Sequence, residues 1–261
     1  MVHSQTIDGS ERGVLDQYVH PQSGQTSLPD VVLRPAGGNV FEATVEQLAT
    51  AIRLGVFTNG EQLPPERELA ERLSVSRNTL RDAIAALRES GLVTTKQGRG
   101  GGTSVTYAAE HPATVVSGSF VRSGAAMLDA LTFRRVVEPG AAWLAATQSL
   151  AGDQRAWLTE SLREVEIAPD AAAHRVADSR LHLAIATLSG SPMVVDAVTR
   201  AQAALHDMLM AIPVLRRNIE HSDAQHHQIV EAILGGDPDR ARAVMEEHCD
   251  ATSALLRGLI G

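Results

Sequence analysis

Ser74–Val93 reads SVSRNTLRDAIAALRESGLV, and the reading of this stretch decides the fold. Leu80, Ala83, Ile84 and Leu87 recur at i, i+3, i+4 and i+7, the period of a helix with one buried face. Arg77, Arg81 and Arg88 fall on the other side, the first two at the helix start and one turn apart. Ser76 precedes them where an N-cap hydroxyl accepts a free backbone N–H. Most helical arginines sit on a solvated face, so the flanking sequence decides what these do.

Upstream, Val40–Val56 carries a helical pattern in Val45, Leu48, Ala49 and Ile52, and then meets the turn-rich TNGEQLPP of residues 58–65. PERELAERL, residues 65–73, makes a second short helix with Leu69, Ala70 and Leu73 inward. Downstream, LVTTKQ, GRGGG and TSVTY read as strand, glycine turn, strand. Three helices followed by a β-hairpin form a winged helix-turn-helix. A recognition helix enters the major groove through its N-terminal turns, where side chains reach base edges and phosphates. The planar fork of arginine suits guanine and phosphate alike, which gives Arg77 and Arg81 a task. The glycine-rich tip lets Arg99 approach the minor groove or the backbone.

The bulk numbers permit this assignment. A 261-residue chain is comfortable for two domains, and 44% hydrophobic residues supply a sizeable core. Aromatic residues are only 3%, which favours helices packed through aliphatic side chains. The net charge of −8 disfavours nucleic acid, but residues 40–106 balance eight Arg/Lys against eight Asp/Glu. Residues 107–261 hold thirteen against nineteen, so the acidity lies mostly outside the proposed DNA reader. One cysteine, Cys249, excludes an internal disulfide, and no apolar run reaches the roughly 18 residues of a spanning helix. The sequence therefore predicts a cytoplasmic protein with no membrane attachment.

Residues 1–36, polar and aperiodic, read as a flexible N-terminal tail. The winged domain takes 37–106 and a linker 107–125. From 126 to 261 the chain is helix after helix with breaks at Pro, Gly and Asp, as in an antiparallel bundle. The expected fold is mainly α. Asp178 and His182 share one helix face, and His226 and His248 sit on the last two helices. A carboxylate with three imidazoles suits zinc, nickel or manganese. On spacing alone His206, His221 and His227 compete for the same role.

GEQLPPERELAERLSVSRNTLRDAIAALRESGLVTTKQGRGGGTSV, residues 60–105, resembles the DNA-binding domain of GntR-family bacterial transcription regulators. The resemblance implies DNA contacts from Arg67, Arg77, Arg81 and the Gly98-Arg99-Gly100 tip, with Thr79 at a phosphate-contacting position. Pro65 departs from the pattern, standing where a residue able to cap the second helix is common. The C-terminal region resembles the all-helical FCD effector domain of the FadR subfamily. DSRLH and HHQIVEAILGGDPDRARAVMEEH carry that likeness and select His226 over His227. By this carry-over Asp178, His182, His226 and His248 ligate a metal facing a central cavity, and Arg134 of LTFRRVVE faces the effector. Ser191, in LSGSP, replaces an asparagine common after such an SG.

Catalytic alternatives fare worse. A helical metalloenzyme with an accessory DNA-binding domain would need a positioned general base. Glu231 and Glu247 sit on charged helices, and no GxSxG, HExxH or phosphate-loop motif occurs. Cys249, alone on an amphipathic helix, reads as packed. The sequence thus predicts a non-enzymatic, ligand-responsive transcription regulator: a homodimeric repressor on a pseudo-palindromic operator. It would be released by a small organic acid or sugar acid at a divalent metal, zinc first.

Overall fold

The computed structural model describes Leu28, Leu33, residues 40–96, Gly98, and residues 101–107, 124–210 and 216–260. Its N-terminal unit consists of α1 (Val40–Arg53), α2 (Glu66–Leu73), α3 (Arg77–Glu89), β1 (Val93–Lys96) and β2 (Gly102–Val105). Helix α3 buries Leu80, Ala83, Ile84 and Leu87, the four residues of the periodic stripe. Ser76 is its N-cap, accepting from Thr79 N at 3.0 Å. Pro65 occupies the N-cap of α2 with no side-chain cap bond, so that helix starts on a fixed φ instead of a hydroxyl. The turn between α2 and α3 passes through Ser74 at φ +52°, whose N–H closes back on the end of α2.

The wing is an antiparallel hairpin in register Val93↔Val105 and Lys96↔Gly102, each strand slightly shorter than the sequence suggested. The loop before α2 extends it: Leu63 N donates to Thr103 O at 2.8 Å, and Val105 N to Glu61 O at 2.9 Å. The wing is thereby tied to the segment that launches α2, which fixes its tip relative to α3.

The second unit is helical throughout: α4 (Gly124–Thr147), α5 (Gly152–Glu166), α6 (Ala171–Leu188), α7 (Pro192–Leu209), α8 (Arg216–Gly235) and α9 (Pro238–Ile260). Helix α4 is the hub and packs against α6, α7, α8 and α9. It runs unbroken through Pro139, which is buried inside it. Asp170 caps α6 and Ser191 caps α7, each accepting a backbone N–H from three residues on. The serine that departs from the family pattern thus has a local helix-starting task. Among the described residues no helix is long and apolar enough to cross a membrane.

One core cluster joins the two units, running from Leu48, Ile52 and Phe57 to Ala141, Leu183, Val195 and Val198. Leu28 and Leu33 belong to it at 7% and 3% exposure. The reading of 1–36 as a flexible tail therefore fails at these two positions. The short apolar run around them, LPDVVL, is broken by Pro29 and closed by Pro35, so it carries no sustained period that announces burial. The remaining residues of that segment lie outside the described set, as does most of the 107–125 linker.

The two units approach closely at Gly55, whose φ is +71°. A β-carbon there would overlap Val176 Cγ1 of α6, and Arg180 Nη1 donates to Gly55 O at 3.3 Å. Tyr107, beyond the wing, meets His206 of α7 with 3.1 Å between its hydroxyl and Nε2. Gly55→Ala combines an unfavourable φ with overpacking, and we expect it to lower stability by about 1–3 kcal/mol in urea denaturation. Wild-type stability for this variant would show that the junction opens without cost.

Candidate metal centre and DNA-reading face

Helix α6 carries Asp178 and His182 one turn apart, and α8 and α9 bring His226 and His248 to the same point. Each of the four offers one ligand atom, and all these atoms lie within 4.8 Å of one another. The imidazole centroids are separated by 4.7–5.4 Å. His182, His226 and His248 are at most 3% exposed, and Asp178 Oδ1 lies 3.3 Å from His226 Nε2. The competing histidines are elsewhere: His206 faces Tyr107, His221 is exposed, and His227 is exposed and paired with Glu166.

Burial decides the protonation of these rings. Desolvation drives the His226 imidazole down to about 4, against the pull of Asp178, and holds His248 well below the usual histidine range. Neutral imidazoles are what a metal requires. The outer partners orient them. His248 Nδ1 is 3.3 Å from Gln225 Oε1, and His226 Nδ1 is 3.9 Å from Asp223 Oδ1. His182 Nδ1 is 2.9 Å from Glu138 Oε2, close enough for an ion pair though without in-line hydrogen-bond geometry. For His182 and His248 an outer acceptor stands beside Nδ1, which leaves Nε2 as the atom available to an ion. Both ring nitrogens of His182 and His226 are buried without a hydrogen-bond partner. Orphaned buried nitrogens are costly, and this donor set fits a divalent cation such as zinc, nickel or manganese.

Beside the cluster, Arg134 and Glu138 of α4 form a pair at 3.1 Å, each 1% exposed. Burial raises the Glu138 carboxyl, but Arg134 and His182 outweigh it and hold the group at about 2. Gln202 Nε2 donates to Glu138 Oε1 at 2.6 Å, and Cys249 Sγ lies 3.7 Å from Oε2. Burial pushes the Cys249 thiol up to about 12, so it is a packed, unreactive group. Arg134 spends only Nε on Glu138. Its Nη1 and Nη2, and Gln202 Oε1, are buried without partners. Sequence reasoning found Arg134 but missed Glu138, Gln202, Gln225 and Asp223. Glu138 was within reach as an i+4 acid to Arg134; the others meet the site only through tertiary packing.

On the N-terminal unit, Arg77, Thr79 and Arg81 occupy the first two turns of α3. Thr79 Oγ1 lies 2.8 Å from Ser76 Oγ, and Arg81 Nε donates to Glu66 Oε2 at 2.8 Å. Arg67 is 71% exposed beside Glu71. Gly98 stands at the wing tip with φ +104°, while Arg99 and Gly100 lie outside the described residues. The structure thus places Arg67, Arg77, Thr79 and Arg81 on α2 and α3, some 100 residues in sequence from the metal ligands.

Comparison with known proteins matches these two units separately. Residues 41–102 match the model of the bacterial regulatory proteins of the gntR family, and residues 129–251 match the FCD domain. The chain is 32% identical over 214 residues to the putative HTH-type transcriptional regulator RmpR of Mycobacterium gastri, covering 79% of this chain and 76% of that protein. It is 30% identical over 217 residues to a putative L-lactate dehydrogenase operon regulatory protein of Escherichia coli, covering 76% and 79%. The transcriptional repressor NanR of Salmonella enteritidis is 31% identical over 228 residues, 84% of each chain. The solved structure of E. coli McbR/YncC superposes with a TM-score of 0.52 at 16% identity, over 85% of this chain and 99% of that one, and so shares the fold. These matches define a ligand-responsive, DNA-binding transcription regulator, not an enzyme. The chain belongs to the GntR family and carries an FCD effector domain.

The neutral, buried His226 links stability to pH. Its folded pKa of about 4 lies below the ordinary histidine value of 6.5, so the unfolded chain binds more protons between the two. In metal-free protein its contribution is full above pH 6.5 and is lost as pH falls toward 4. We expect the melting temperature of chelator-treated protein to drop across that window. His226→Gln, which keeps a polar side chain that does not titrate there, should make the drop shallower, with the remainder due to the buried His206 and His248. An unchanged profile would mean that the imidazole is solvated in solution.

Proposed function

We propose that this regulator is a dimeric repressor released by a small carboxylate bound at a divalent metal held by Asp178, His182, His226 and His248. The observation that carries the reading is the set of buried, unpartnered groups at one place: imidazole nitrogens, both terminal nitrogens of Arg134, and Gln202 Oε1. A metal satisfies the imidazoles and acts as a Lewis acid toward an anion. The Arg134 fork takes a carboxylate through a charge-assisted bond. Gln202 Oε1 asks for a donor, which a hydroxyl on a sugar acid or small organic acid supplies. The relatives support the reading in outline, since one is named a repressor and another the regulator of an L-lactate dehydrogenase operon.

In this reading two copies of α3 enter successive major grooves about 34 Å apart. Arg77 and Arg81 reach base edges, Thr79 and Arg67 reach phosphates, and the Gly98-Arg99-Gly100 tip follows the adjacent minor groove. The dimer forms through the helical unit or its junction with the wing. Helix α6 connects the two functions, because it carries Asp178 and His182 and also presents Val176 and Arg180 to Gly55. A ligand that shifts α6 is felt at the junction, and with it the spacing of the two reading helices.

Purified protein should carry about one divalent metal per chain by elemental analysis. His226→Ala combined with His248→Ala should abolish it, keep operator binding, and lose the response to the effector in a gel-shift titration. Metal-free wild type that still answered its effector would leave the centre a purely structural role. Independently, Arg81→Ala should weaken operator binding by about 1–3 kcal/mol with unchanged circular dichroism. Full affinity in that variant would remove Arg81 from the reading face.

A further inference from the structure

Glu66, the first residue of α2, accepts from Nε of Arg81 at 2.8 Å across the turn of the helix-turn-helix. The two residues are fifteen positions apart and lie on different helices. Helix α2 also carries the i,i+4 pairs Arg67 with Glu71 and Arg72 with Glu68. Among the described residues Arg77, one turn before Arg81, has no hydrogen bond or ion pair. Two arginines on the same exposed face are therefore treated differently: one has no partner, the other is held.

We infer that Glu66 is a positioning residue for base recognition, clamping the Nε edge of Arg81 so that its Nη1–Nη2 edge is presented to a guanine in the major groove. This rests on the reading above in which α3 reads DNA through Arg81.

A guanidinium has two hydrogen-bonding edges, and a single contact at Nε leaves the Nη pair free and fixes the plane of the fork. Bidentate recognition of guanine O6 and N7 needs that plane to be set. Ordering the side chain before DNA arrives removes part of the entropy cost of binding. A phosphate contact needs only charge and no such clamp.

The plain alternative is a surface salt bridge. Arg81 is 62% exposed and Glu66 43%, and an exposed pair contributes little to folding. A carboxylate in the first turn also complements the dipole of α2, but Glu68 does so equally and does not reach Arg81. A negative charge on a face that meets phosphates opposes binding to any DNA. Glu66 is thus expected to lower general affinity while sharpening the choice of one base, a combination that a stabilising salt bridge does not produce.

The test uses the full chain and a random double-stranded DNA library, with selected sequences read for wild type, Arg81→Ala, Glu66→Gln, Glu66→Asp and the double variant Glu66→Gln with Arg81→Ala. Affinity for an unrelated duplex is measured beside it by fluorescence anisotropy at several salt concentrations. Arg81→Ala should erase a guanine preference at one position of each half-site. Glu66→Gln should cut the preference at that same position by about tenfold, leave the others intact, and raise affinity for the unrelated duplex. Glu66→Asp should restore part of the preference, and the double variant should match Arg81→Ala alone.

An unchanged preference in Glu66→Gln would reduce the pair to a surface salt bridge. Loss at a different position would make Glu66 itself the reader, and a uniform loss across all positions would mean a general effect on the helix pair; either overturns the inference. If Arg81→Ala itself erased no preference, the role of Arg81 in reading and the inference would fall together. A failure confined to the Glu66 variants would leave the role of Arg81 standing.

Discussion

The helical unit depends on one carboxylate. Glu138 is buried at the centre of α4 and touches Arg134 on its own helix, the His182 ring of α6, Gln202 of α7 and Cys249 of α9. A buried ion pair is a poor source of net stability, because desolvation cancels most of the attraction. Removing one partner is different: it strands the other charge, at a cost of about 3–5 kcal/mol. The pair therefore fixes how four helices sit against one another more than how strongly they adhere. It also gives Arg134 an unusual condition, a permanent positive charge anchored at Nε with its other two nitrogens unsatisfied. The same carboxylate lies against the imidazole of His182, so the histidine cluster and Arg134 share one support.

Much of this was legible in the sequence, and what was not had a physical reason. The α3 stripe, the Ser76 cap and the strand-glycine-strand wing are local signals with fixed spacing, and all were readable. The set of Asp178, His182, His226 and His248 was only half readable. Asp178 and His182 share a helix face by arithmetic, but His226 and His227 are adjacent, and no spacing argument distinguishes them. Burial does: His226 is fully enclosed, whereas His227 is exposed against Glu166. Gln202 and Gln225 carry no sequence signal, since an amide acquires its role only from the acceptor or donor that packing sets beside it. Leu28 and Leu33 failed for the complementary reason, because Pro29 and Pro35 interrupt any helical or strand period in the short apolar run around them.

The charge distribution reconciles an acidic protein with a nucleic-acid partner. The excess of acid resides on the helical unit, whose bases are engaged in pairs such as Arg240 with Glu231 and Arg135 with Glu246 and Asp250. The N-terminal unit is balanced in sum, and its arginines are gathered on α2 and α3. Field, not net charge, governs the approach to a polyanion.

Gly55 gives the two units a particular relation. Because nothing larger than a hydrogen fits between its α-carbon and Val176, the DNA reader and the effector unit meet as parts cut to one another, not as beads on a string. Such a chain is not modular. A reader grafted from a relative would need the same glycine, the same left-handed turn and a matching valine before it could sense anything bound below it. Exchange of binding specificity within such a protein is therefore confined to the outer face of α3 and the wing, while the seam evolves only as a matched set.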